Sequence, residues 1–177
     1  MRNSFIKNSQ QIKSKYANPT QASTQAKSLD LLSSGIYTEE ERFVFELLQN
    51  AVDAYNGSSC LNVKIILLDD YLIFMHNGDE FSERDIEGLC DVGYGNKMAD
   101  KNKIGYKGIG FKSIFMHSHL VTVQSGEYCF KFEKSQWDNY WDSDWGTKDD
   151  SRKCSMPWQI IPIEATAPVD VCADGFM

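Results

Sequence analysis

In the stretch FELLQNAVDA, Phe45 to Ala54, an acid, an amide and a second acid recur at i, i+4 and i+7: Glu46, Asn50 and Asp53. At about 100° per residue the three fall within about 60° of one another on a helix. Around them Phe43, Val44, Phe45, Leu47, Leu48, Ala51, Val52 and Ala54 cover most of the remaining circumference. The pattern predicts a helix buried on several sides, with one narrow polar stripe. A buried acid and amide need polar partners, and a metal ion with its phosphates would supply them. Glu46 is the candidate to take a proton from an attacking water. Asn50 offers a neutral oxygen to Mg2+, an ion that keeps few protein ligands. Taken alone, the stripe also fits the solvated side of an ordinary amphipathic helix.

A second signal lies some fifty residues on. The run KIGYKGIGFKSIF, Lys103 to Phe115, holds G-x-x-G-x-G as Gly105, Gly108 and Gly110, followed by a helix-compatible segment. Glycines let a backbone turn and come close to an anion, and the amides opening the next helix favour phosphate. Two commoner glycine-rich readings fit poorly. A dinucleotide fingerprint directly follows a strand, whereas here a polar loop, Asn96 to Asn102, precedes the glycines. The phosphate loop G-x-x-x-x-G-K-[ST] is absent.

This order, acid–amide helix first and glycine loop later, resembles the GHKL (Bergerat-fold) ATPase superfamily of gyrase, HtpG-type chaperones, histidine kinases and MutL. Its first box, E-x-x-x-N-A-x-D-A, is matched throughout by Glu46 to Ala54. Its phosphate box, G-x-x-G-x-G-F, is matched by Gly105–Tyr106–Lys107–Gly108–Ile109–Gly110–Phe111. Between them the family carries D-x-G-x-G, whose acid reads the adenine amino group. Gly78 aligns with the first glycine, while His76 stands at the acid and Glu80 at the second glycine. That departure is similar to the sacsin-like and No Vein-like branch, whose flanking F-[ST]-x-x-D-[IF] is present as Phe81 to Ile86. The resemblance covers roughly Glu39 to Val123.

The resemblance implies ATP and Mg2+ as cofactors, with Glu46 catalytic, Asn50 on the metal and Gly105 to Phe111 around the phosphates. Lys97 or Lys112 would add positive charge. Asp53 either pairs with a nearby base or contacts the nucleotide through water. His76 is either a packed strand histidine or a base reader, and Asn77 and Asp79, flanking Gly78, offer acceptors to an exocyclic amine. Histidine kinases carry Asn at the position of Glu46, so the glutamate favours hydrolysis over phosphoryl transfer to protein. His117 and His119 follow the phosphate helix, the wrong place for a phosphoacceptor.

Composition agrees with one folded unit. The chain has 177 residues, 42% of them hydrophobic and 12% aromatic, enough to bury a full core. Its longest apolar runs are too short to span a bilayer, and the N-terminus is polar. Five scattered cysteines without a C-x-x-C pair argue against zinc and a disulfide framework, and for the cytoplasm. A net charge of −7 argues against a dedicated nucleic-acid surface and for protein partners.

Along the chain, residues 1–35 read as a helical extension and 36–177 as the ATP-binding domain, part of a longer protein. Thr38 and Glu41 form a capping box for a helix running to about Tyr55, which Asn56–Gly57 stops. Leu61 to Leu68 and Tyr71 to His76 read as paired strands around Asp69–Asp70. Ser82 caps a short helix. Asp91 to Lys107 suits a mobile lid, and Gly108 to Met116 is the phosphate helix. His119 to Gln124 and Tyr128 to Glu133 form a hairpin, Gln136 to Lys153 an irregular insertion, and Pro157 to Ile163 a last strand. The resulting fold class is α/β: a two-layer sandwich of a mixed, mainly antiparallel sheet with helices on one face.

The expected function is ATP hydrolysis that closes the lid and drives conformational change or dimerisation of a larger protein, slowly in this piece alone. The alternative is a non-hydrolysing nucleotide sensor or protein-interaction module, in a chaperone-like, antiviral or DNA-processing assembly.

Overall fold

The computed structural model describes residues 2–36, 42–57, 60–92, 110–148 and 153–166. Two helices come first, α1 (Arg2–Lys13) and α2 (Pro19–Ile36). Asn18 explains the break: its Oδ1 accepts the Gln21 N–H at 2.9 Å, and Pro19 opens the helix where no backbone donor is needed. The acid–amide segment is helix α3 (Arg42–Asp53). Gly57 follows at φ 81°, the left-handed conformation of a stop signal. The Thr38–Glu41 capping box lies outside the described residues.

β1 (Val63–Leu67) and β2 (Leu72–His76) pair antiparallel in the register Val63↔His76 to Leu67↔Leu72. The Leu68 N–H donates to Tyr71 O at 2.9 Å and closes the expected turn. α4 (Glu83–Leu89) starts in a full capping box between Ser82 and Asp85. A 3₁₀ helix spans Gly110–Met116. β3 (Leu120–Ser125) and β4 (Tyr128–Glu133) then form a hairpin whose turn residue Gly126 has φ 54°. β5 (Ile163–Glu164) pairs antiparallel with β4, so the described strands make two small antiparallel sheets, β1–β2 and β3–β4–β5.

The last strand is shorter than the sequence suggested. Pro157 and Pro162 bring no N–H to a ladder, and Trp158–Ile160 form a 3₁₀ turn instead. The aromatic segment is irregular but packed: Trp137, Tyr140 and Trp145 stack edge to face, and the Trp145 indole donates to Tyr16 O at 2.7 Å.

Along β4, Tyr128, Phe130 and Phe132 point to one buried face while alternate residues are half-exposed. They join Phe115, Trp158, Ile160 and Ile161 in one cluster that also takes in Ile6, Ala22 and Leu29. The N-terminal helices therefore close the same core as the sheet. No helix among the described residues is long and apolar enough to cross a membrane.

A tight junction fixes the end of α3 against the turn after β2. The Asp79 N–H donates to Ala54 O at 2.8 Å. A Cβ built on Gly78 would lie 2.9 Å from Ala54 Cβ and 3.0 Å from Ala54 O. Neither atom belongs to a flexible side-chain end, so Gly78→Ala is expected to destabilise the chain by about 1–3 kcal/mol. Thermal melting reads this directly, and an unchanged midpoint would contradict the packing described.

Candidate functional site

Helix α3 packs along the 3₁₀ helix, with the Phe43 and His117 rings 5.0 Å apart. The shared surface brings the first and third boxes together. Glu46 enters it with a side chain only 13% exposed. Its carboxylate meets the backbone of Gly110, where an added Cβ would lie 1.9 Å from Glu46 Oε2 and 2.6 Å from Cδ. The last glycine of the loop is thus the one residue type that leaves the acid its place. On the outer side Arg42 Nε stands 3.9 Å from Glu46 Oε1, one helical turn back.

The exposure of α3 corrects one expectation. Phe45 is 67% and Val52 53% exposed, whereas the acid is enclosed. The polar stripe has the neighbour and part of the apolar circumference does not. Asn50 and Asp53 follow Glu46 on the half-exposed stripe.

At the other end of α3, the turn after β2 holds the adenine-box positions. His76 Nδ1 accepts the Gly78 N–H at 3.1 Å, and partial burial keeps the imidazole below its usual pKa of 6.5. The Asn77 side chain is engaged by the backbone: its Oδ1 accepts from Asn62 N at 2.7 Å and its Nδ2 donates to Cys60 O at 3.0 Å. Asp79 accepts from Asn56 Nδ2 at 2.5 Å. Glu80, at the missing second glycine, reaches the β3–β4 turn, where its Oε2 would lie 2.2 Å from a Cβ on Gly126. At about 1.5 Å per residue, Glu46 and Ala54, the residue just past α3, are about 12 Å apart along the axis.

Lys112 departs from its expected place. It is 3% exposed, and its ammonium donates to Leu89 O and, at 2.9 Å, to Gln159 O. The rings of Phe111, Phe115 and Phe132 stand 5.4–5.9 Å from it. It is a cation of the core, not a phosphate contact. Phe111 likewise packs on Phe115 and Phe132. The expected helix is present over Gly110–Met116 as a 3₁₀ helix, in which Ser113 Oγ donates back to Gly110 O at 2.6 Å. Lys97, Gly105, Tyr106, Lys107, Gly108 and Ile109 lie outside the described residues. A cavity of about 330 Å³ occurs between α1 and α4, lined by residues such as Ser9, Ile12, Lys13 and Asp91 and by none of the box residues.

Sequence reasoning missed the inward Lys112. The signal available was its aromatic setting, Phe111 before it and Phe115 three residues on, which suits a buried stem better than a solvated one.

No protein-family model matches the chain. It is 35% identical over 111 residues, 62% of its length, to the protein No Vein of Arabidopsis thaliana. It is 30% identical over 103 residues, 51% of its length, to human sacsin. To the chaperone protein HtpG of Helicobacter hepaticus it is 29% identical over 125 residues, 55% of its length. No Vein and sacsin bear the names of the branch that the departure at His76 and Glu80 resembles, and HtpG that of the chaperones among the wider resemblance. The chain spans 4% of No Vein, 2% of sacsin and 20% of HtpG.

Burial drives the Lys112 amine down to about 8 from 10.5, with Lys13 adding to the fall and Cys90 and Asp91 opposing it. Between those two values the unfolded chain binds more protons than the folded one, so this group's contribution to stability rises with pH. Cys90 acts in the opposite sense, its buried thiol pushed up to about 11 from 9.0. Comparison with Lys112→Met isolates the lysine. Across the interval from about 8 to 10.5, melting of the wild type is expected to gain on that of the variant. A constant gap would show that the amine is not desolvated.

Proposed function

We propose that the chain is an ATP-binding domain that hydrolyses ATP with Mg2+ and passes the resulting change of shape to a larger protein. The observation that carries this reading is the enclosure of Glu46 against Gly110. It unites the acid of the first box with the last glycine of the third, which lie far apart in sequence. Similarity to HtpG, named a chaperone, supports a chaperone-like setting.

In this reading Glu46 would take the proton of a water that attacks the terminal phosphorus as the bond to ADP breaks. Gly110 leaves room for that carboxylate by having no side chain. Arg42 restrains it from the outer side. Asn50 would hold Mg2+, whose chemistry is to neutralise charge on the phosphate oxygens. The amide oxygen of Asn50 suits that ion, because nucleotide-bound Mg2+ needs only one or two protein ligands. Gly105 and Gly108 would present amides to the phosphates. Asp53 and the turn Gly78–Asp79 would face the sugar and base. Nucleotide binding would close the segment holding Lys97 and bring two copies, or the rest of a longer chain, into contact in the cytoplasm.

A second reading is a nucleotide sensor without turnover. It is favoured by His76 and Asn77, whose ring nitrogen and amide are already engaged by backbone groups.

Calorimetry with ATP, ADP and GTP, with and without Mg2+, tests binding. In a longer chain that turns over, Glu46→Ala should keep ATP affinity and lower kcat by about 10²- to 10⁴-fold. Gly110→Ala should lower kcat as well while moving the melting point little, because the obstructing atom is the free end of a side chain. Unchanged hydrolysis in Glu46→Ala removes the catalytic assignment and leaves the sensor.

A further inference from the structure

A lysine ammonium deep in a core is costly unless its donors are met, so the groups that meet it reveal what it does. Leu89 O belongs to the last turn of α4, whose carbonyls have no partners within the helix. Gln159 O lies in the 3₁₀ turn before β5. The same Gln159 reaches α2, its Nε2 donating to Asp30 Oδ1 at 2.8 Å. The ammonium therefore joins two elements distant in sequence, and through Gln159 a third, to the turn that begins at Gly110. Leu89 and Lys112 stand on opposite sides of residues 93–109 in the sequence, so the bond between them spans that stretch.

We propose that Lys112 is a positioning residue for the nucleotide site: from inside the core it ties the end of α4 and the turn before β5 to the 3₁₀ helix, and so fixes Gly110 where it meets Glu46. This rests on the reading of Glu46 and Gly110 as part of that site. The tolerance there is small, because Gly110 is buried and the Glu46 carboxylate occupies the space beside its α-carbon. Gly110 is also the last glycine of the box proposed to receive the phosphates, so its displacement weakens ATP binding as well as turnover. A methionine would fill the slot between the three rings without making either tie. The aromatic walls also suit a cation, so arginine is the replacement that preserves charge and donors.

The test uses the whole 177-residue chain. ATP affinity with Mg2+ is measured by calorimetry for the wild type, Lys112→Met and Lys112→Arg, with circular dichroism and Trp fluorescence to confirm folding. A folded Lys112→Met is expected to bind ATP about tenfold more weakly, about 1.4 kcal/mol, with Lys112→Arg recovering most of the loss. A folded Lys112→Met with wild-type affinity overturns the positioning role and leaves the lysine a packing residue. If neither variant folds, the wild type decides. Exchange of the Lys112 ammonium protons, followed by nitrogen-15 NMR, should slow about tenfold when ATP saturates the site. Unchanged exchange overturns the proposal. Absence of ATP binding by the wild type removes the nucleotide reading itself, and the clasp falls with it.

Discussion

The arrangement depends on a missing carbon atom. α3 can deliver Glu46 to the start of the 3₁₀ helix only because Gly110 has no Cβ; the carboxylate occupies the place that atom would take. A second contact of the same kind lies at the far end of the helix, where Gly78 comes within a Cβ's reach of Ala54. Helix α3 is thus met by bare backbone at Glu46 and just past its end at Ala54, and each junction joins two of the three boxes. A methyl group at Gly78 would press on the backbone end of α3, whereas one at Gly110 would displace the free end of the Glu46 side chain and so the acid itself.

Around this axis the rest of the molecule supplies rigidity. Lys7, Lys13 and Lys15 pair with Glu164, Asp91 and Asp142 respectively, linking the N-terminal helix and its end to distant parts of the chain. The largely exposed Lys7 contributes little to its pair. Ile6, Ala22 and Leu29 contribute more, because they are buried in the cluster that holds Phe130, Phe132 and Ile161. Lys112 belongs to this interior framework. Its charge is met by carbonyls that the local secondary structure leaves over, which makes a polar group compatible with an aromatic core.

The three-box pattern was legible because each box is local. Glu46, Asn50 and Asp53 lie on one turn-spaced stripe, Ser82 and Asp85 close a cap over three residues, and the two hairpins follow from alternating residues and short turns. Less local outcomes were read incorrectly. Pro157 and Pro162 reduced the expected last strand to Ile163–Glu164. Asn77, offered as a base contact, is used to start β1 by bonds to Cys60 and Asn62. Phe45 and Val52, expected inside, are exposed.

By itself, the sequence determined where helices and strands run and which polar groups share a side of α3, since periodicity, caps and turns act over a few residues. Only the tertiary structure decided that Glu46 would be enclosed by Gly110 and that Lys112 would turn inward to Leu89 and Gln159. Those outcomes depend on groups dozens of residues apart competing for the same small volume, and no local pattern records which of them will occupy it.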